Sequence, residues 1–273
     1  MTTKPATIRD RLWTWGMQVN ALQQTGSYGK LGFDDSTLTV EQAIEQTGIK
    51  NVYMAGGLEI NEESLAAMPS AERIVCKWSL HTELDDKIVL NIDVAEARLL
   101  AAKQLAASDP RVEGFLLDDF STGSMDAGAS PEHMARLQYI NTTTWPHLPL
   151  YETIYSMTLE RDGLADMMRY ADLLLVPLWH FPECDTMPAR IERCAELTGN
   201  KPMLVCLYFY DFGNHRMLER NEMQQQLDIV EPLIREQRVT GLMMCGTCMM
   251  DLGWESVDCY QEWVRRVGDD ELS

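Results

Sequence analysis

The sequence predicts a single-domain α/β fold, a (β/α)8 (TIM) barrel of parallel strands with an outer ring of helices, and three observations carry that prediction. Apolar runs of strand length alternate with longer helical patterns about eight times across residues 1–273. Those runs are apolar throughout, as parallel strands covered by helices require. The length of 273 residues is close to the ~250 usual for this architecture, and eight units favour a closed ring over an open doubly wound sheet because closure removes both edges.

Taken in order, the first strand is expected from Arg11 to Met17, followed by a loop through Gly26, Gly29 and Gly32 and a helix near Thr39 to Thr47. Thr39-Val-Glu-Gln42 fits a capping box at that helix start. The second strand runs from Asn51 to Met54 and stops at Gly56-Gly57, and the third runs from Arg73 to Leu80. Val94, Ala97, Leu100, Ala101 and Leu105 recur with a period near 3.6, which makes Asp93 to Ala107 a helix with one buried face. The fourth strand is Gly114-Phe-Leu-Leu-Asp118-Asp119, and Ser130-Pro131 then opens a helix as N-cap and first helical residue. The remaining strands are read at Leu148 to Ile154, Asp172 to Trp179, Met203 to Tyr210 and Gly241 to Cys245, with helices at Arg220 to Arg235 and Ser256 to Val267.

Composition narrows the function. A formal charge of −19 repels phosphate backbones and anionic membranes, so neutral or cationic small molecules are the expected partners, with no nucleic acid and no membrane. The N-terminus has no apolar signal core, and no apolar stretch reaches membrane-spanning length, which points to the cytoplasm. Seven cysteines, most of them inside apolar strands or helices, argue for reduced core thiols; Cys245-Gly-Thr-Cys248 lacks the second pair a metal site would need. There is no G-x-G-x-x-G after the first strand and no P-loop, so no cofactor is expected. A homo-oligomer is compatible with the chain.

In a barrel the site forms at the C-terminal ends of the strands. Those ends bring together Trp15, Asn20, Lys77, Trp78, Asp118, Asp119, Tyr151, Glu152, Tyr155, Trp179, His180, Tyr208, Tyr210, Asp211 and Trp254. An apolar strand that ends in two carboxylates opens into a polar site, since burying an unpartnered acid is costly. Side chains alternate along a strand, so only one of Asp118 and Asp119 is expected to face the axis. Five of the seven tryptophans sit at or just past strand ends, where flat faces with polar tips suit a sugar ring.

With Asp118 or Asp119 after the fourth strand, Asp211 after the seventh, and Trp15, Trp78, Trp179, Tyr208 and Trp254 around the rim, the chain resembles the broad class of glycoside-hydrolase-like (β/α)8 barrels. Val112-Glu-Gly-Phe-Leu-Leu-Asp-Asp-Phe also resembles the fourth strand of chitinase-like barrels, with Phe120 or Ser121 where those enzymes carry their acid Glu. The resemblance implies hydrolysis of a neutral carbohydrate or glycoside by a proton donor and a second carboxylate. The expected roles are Asp118 or Asp119 as acid, Asp211 as nucleophile or base, and Glu152 in reserve. Three other readings compete. Asp119, Glu152, His180 and Asp211 would suit Mg²⁺ or Mn²⁺ in a sugar isomerase, epimerase or lyase. Lys77 could form a Schiff base, or else pair with Asp118 or Glu152. An aromatic mouth could bind saccharide without turning it over.

Overall fold

The computed structural model describes residues 6–17, 19, 33, 36–54, 60–84 and 87–272, with backbone alone for 82–84. Asn20 and the glycines at 26, 29, 32, 56 and 57 lie outside the described residues.

Eight parallel strands close into a barrel: β1 (Leu12–Gly16), β2 (Asn51–Met54), β3 (Arg73–Trp78), β6 (Val112–Leu117), β7 (Leu150–Thr153), β8 (Leu173–Pro177), β9 (Met203–Tyr208) and β12 (Gly241–Cys245). The ring order is β1-β12-β9-β8-β7-β6-β3-β2, so β1 pairs with β12 and no barrel strand is left at an edge. The (β/α)8 expectation therefore holds. Two antiparallel hairpins rise from the C-terminal ends: β4 (His81–Leu84) with β5 (Lys87–Leu90), and β10 (Tyr210–Asp211) with β11 (Arg216–Met217). The seventh strand therefore ends at Tyr208, and Tyr210 and Asp211 belong to a separate hairpin.

Local signals explain most helix starts. Thr39 accepts from the Gln42 N–H at 3.2 Å, while the Gln42 side chain accepts from the Thr39 N–H at 2.9 Å. Ser130 precedes Pro131 at the start of the helix Pro131–Thr143, and its N–H reaches His133 Nδ1 at 3.1 Å. The helix Ile92–Ser108 covers β3 and β6.

Below the mouth the barrel is plugged by aromatic rings. Trp13 meets Tyr53 edge-on at 4.9 Å, and Tyr53 lies 6.0 Å from Tyr151. Since β2 and β7 are not neighbours in the ring, the Tyr53–Tyr151 contact crosses the interior. Gly114 makes room for it, because a Cβ there would sit 2.9 Å from the Tyr151 ring. Underneath, Arg73 covers Trp13 at 4.5 Å and pairs with Glu113. Burying aromatic side chains of this size is worth roughly 1.5–3 kcal/mol each.

Candidate active site

The site is built on the tip of β6. Asp118 extends the sheet through its N–H, which donates to the Trp78 carbonyl at 2.7 Å, and its carboxylate turns inward. Oδ1 accepts from the Thr153 hydroxyl at 3.1 Å, and Oδ2 lies 3.1 Å from Lys77 Nζ. Burial pulls the Lys77 ammonium down, but the Asp118 and Asp119 charges outweigh it and hold its pKa above the usual lysine value. An ammonium held in its charged form is a poor Schiff-base nucleophile, so of the two readings of Lys77 the ion pair with Asp118 is the one this geometry favours.

Asp119 leaves the strand in the left-handed region at φ +48°, a conformation that costs a residue with a Cβ about 1–2 kcal/mol and that Asp tolerates better than most. The chain then tightens into the turn Phe120–Ser124, with the Ser124 N–H donating to the Asp119 carbonyl at 3.2 Å. That reversal breaks the strand's alternation. The Asp119 carboxylate accepts from the Tyr155 hydroxyl at 2.6 Å, so both acids belong to the mouth, contrary to the expectation of only one. Asp118 is buried and Asp119 is half-buried. Burial, reinforced by the charges of Asp119 and Asp118, raises the Tyr155 pKa and keeps its proton on the phenol.

Aromatic side chains line one side. Trp179 stacks on Phe212 at 4.6 Å and 17°, and meets Tyr155 and Tyr208 edge-on at 5.7 and 5.8 Å. Trp15, half-buried, lies beneath the Lys77 ammonium at 5.9 Å. Tyr210 and Trp254 stack with each other at 6.1 Å and both contact Phe33, and as buried side chains they support the mouth from behind.

Several expected site residues point elsewhere. Thr153 faces Asp118, so Glu152, its neighbour on β7, faces the helices. Glu152 has no exposed surface and neither carboxyl oxygen has a hydrogen-bond partner among the described residues; burial drives its pKa well up. It is therefore neither the reserve catalytic acid nor a metal ligand. Tyr151 shares the inward face but lies lower, in the plug. Trp78 faces outward under Arg98, with 4.5 Å between guanidinium and ring, and lines a cavity of about 40 Å³ with Cys76, Ala102 and Phe115. Trp78 is thus no rim residue.

Asp211 is also displaced from its expected role. Its side chain has no exposed surface. Its Oδ1 contacts His180 Nδ1 at 3.2 Å and accepts from the Asn214 N–H at 3.1 Å, while Oδ2 accepts from Asn214 Nδ2 at 2.7 Å. Burial raises its pKa, but the hydrogen bonds from Asn214, His180 and the Phe181 backbone outweigh this and leave it below the usual carboxylate value. A carboxylate so enclosed cannot attack a substrate directly. Among the described residues no group of three or more His, Cys, Asp or Glu side chains converges as a metal site, and no helix is long and apolar enough to cross a membrane.

Thr153, Phe212 and Asn214 were not legible as site residues. Phe212 follows Asp211, and only the hairpin after β9 carries it onto Trp179.

The sequence matches no family model and no curated protein. Solved structures share its fold. A glycoside hydrolase family 17 β-1,3-glucanosyltransferase from Rhizomucor miehei superposes with a TM-score of 0.56 at 12% identity, over 88% of this chain and 87% of that one. A chitinase from Chromobacterium violaceum gives 0.56 at 11% identity, over 97% and 100%. A glycoside hydrolase family 5 enzyme from Prevotella bryantii gives 0.55 at 10% identity, over 97% and 100%. The chain thus shares the (β/α)8 barrel fold of these glycoside hydrolases.

Proposed function

We propose that this barrel hydrolyses a glycosidic bond of a neutral carbohydrate at the mouth built on Asp118 and Asp119. The observation that carries the reading is the pairing of these two acids at one strand tip in different environments. Asp118 is buried and bound to Lys77 and Thr153, while Asp119 meets solvent and the Tyr155 hydroxyl. Environments that separate two neighbouring carboxyls are how such sites divide acid and anion roles. Asp119, the more exposed, is the one placed to reach the leaving oxygen, and it delivers a proton there after taking one up from solvent. Asp118 stabilises the positive charge that develops on the sugar ring in the transition state. The stacked Trp179–Phe212 pair and Trp15 supply flat apolar faces for pyranose C–H groups. The fold is that of neighbours that include a glycoside hydrolase family 5 enzyme solved with a xyloglucan tetradecasaccharide.

The test is a screen of aryl glycosides and oligosaccharides with Asp119→Asn and Asp118→Asn as controls. Turnover that falls by about 10²–10⁴ in Asp119→Asn supports the proton-donor role. Turnover equal in wild type and both variants overturns the reading. One observation favours a second reading, a saccharide-binding barrel without turnover: the acid expected across the mouth, Asp211, is fully enclosed. Calorimetric saccharide binding with no product after long incubation would select it.

A further inference from the structure

The geometry points to His180, held by Asp211, as the group that deprotonates the attacking water; the inference rests on the hydrolytic reading above. Asp211 has no exposed surface, whereas the His180 side chain keeps 32% of its own. The two meet through Nδ1 at 3.2 Å. A carboxylate can only accept, so Nδ1 carries the hydrogen, and in the neutral ring the lone pair is left on Nε2. The enclosed acid thereby orients a base that keeps exposed surface.

The surroundings fix this arrangement. Asp211 is anchored by two contacts from Asn214, and Arg216 Nη2 stands 3.7 Å from Oδ2. Gly213 packs against the inner edge of the imidazole: a Cβ there would lie 2.2 Å from Nδ1, 2.6 Å from Cγ and 2.9 Å from Cβ of His180. Only a residue without a side chain lets the hairpin close on that edge, and Nε2 lies on the opposite one. His180 directly follows Trp179, the ring that stacks on Phe212 and lines the mouth. Beyond Asp211 the ion pairs continue to Arg216 on the β10–β11 hairpin and from it to Glu222 of the helix Arg220–Arg235, while Glu183, three residues after His180, is bound to Arg190.

The step balances. Water loses a proton to His180 Nε2 as its oxygen bonds to the anomeric carbon; the bond to the leaving oxygen breaks as Asp119 delivers a proton to it. His180 then returns its proton to solvent and Asp119 regains one, so the net change is addition of water across the glycosidic bond. His180 is a proton-transfer residue and Asp211 a positioning residue.

The experiment uses the full chain and the best aryl glycoside from the screen, with His180→Gln, His180→Asn and Asp211→Asn checked by thermal melting. Expected is a kcat loss of about 10²–10⁴ in both His180 variants with KM changed less than about threefold. The acid limb of the wild-type pH–rate profile should vanish in those variants, and azide should restore part of the rate. Asp211→Asn should keep a smaller rate and move the limb, a change that a merely structural loop anchor would not produce. If both His180 variants keep the wild-type rate and pH limb while Asp119→Asn is dead, the dyad is overturned and the hydrolytic reading stands. If wild type turns over no glycoside, the hydrolytic reading fails and the dyad proposal falls with it.

Discussion

The Tyr155 hydroxyl donates to Asp119 Oδ1 at 2.6 Å, tying the segment after β7 to the left-handed residue at the tip of β6. Tyr155→Phe removes that donor and keeps the ring against Trp179. Its expected effect is a fall in kcat of about tenfold, the worth of one hydrogen bond of about 1.4 kcal/mol, with folding intact. Steady-state kinetics beside a circular dichroism melt would check it; an unchanged kcat would mean that the turn alone positions Asp119.

Lys77→Met leaves Asp118 buried without its cation. Removing one partner of a fully buried pair costs about 3–5 kcal/mol. The Lys77 side chain retains 28% exposure, so a loss on the order of 2 kcal/mol is expected in urea unfolding. The double variant Lys77→Met with Asp118→Asn should recover part of it, because the unpaired charge is then gone.

Glu152→Met should stabilise the protein, by about 1–3 kcal/mol, since it removes a buried polar group with no partner among the described residues. The pH dependence has a definite sign. The folded pKa of Glu152 lies above the unfolded value of about 4.3, so its contribution is complete below pH ~4 and declines as pH rises toward the folded pKa. The melting-temperature advantage of Glu152→Met should therefore widen from pH 4.5 to pH 8. A constant gap would contradict the assignment.

Asp211 has the opposite sign. Its folded pKa is depressed, so the stability it contributes is present above the unfolded pKa of about 3.9 and is lost as pH falls through the folded value. Asp211→Asn should be less stable than wild type at pH 6, on the order of 1–3 kcal/mol, and the difference should shrink below pH ~4. Acid-unfolding curves of the two proteins measure this.

Trp179→Ala should weaken saccharide binding by about three- to tenfold, the value of a lost aromatic contact of ~0.5–1.5 kcal/mol, as read by calorimetry. If affinity is unchanged, the Trp179–Phe212 stack is a loop prop and no platform.

The barrel was legible because unit count and apolar runs survive errors of two residues at any boundary. Side-chain direction was not. Glu152 and Trp78 sit within a residue of true inward positions, Thr153 and Lys77, and a period of two converts that single step into the opposite face. Asp118 was readable because an acid ending an apolar strand signals a polar opening. The joint presentation of Asp119 was not, since it depends on a positive φ that no neighbouring glycine announces. Asp211 was misassigned because Met203 to Tyr210 reads as one strand, whereas the chain breaks at Phe209 and folds into a hairpin that encloses the acid.

The stack of Trp13, Tyr53 and Tyr151 makes the barrel a cup closed at its base rather than a tunnel. Among the described residues these rings fill the base beneath Asp118 and Asp119, so on the hydrolytic reading a spent fragment must leave from the side on which a fresh molecule arrives. Slow clearance would appear as competitive inhibition by product, most strongly for the fragment lodged deepest.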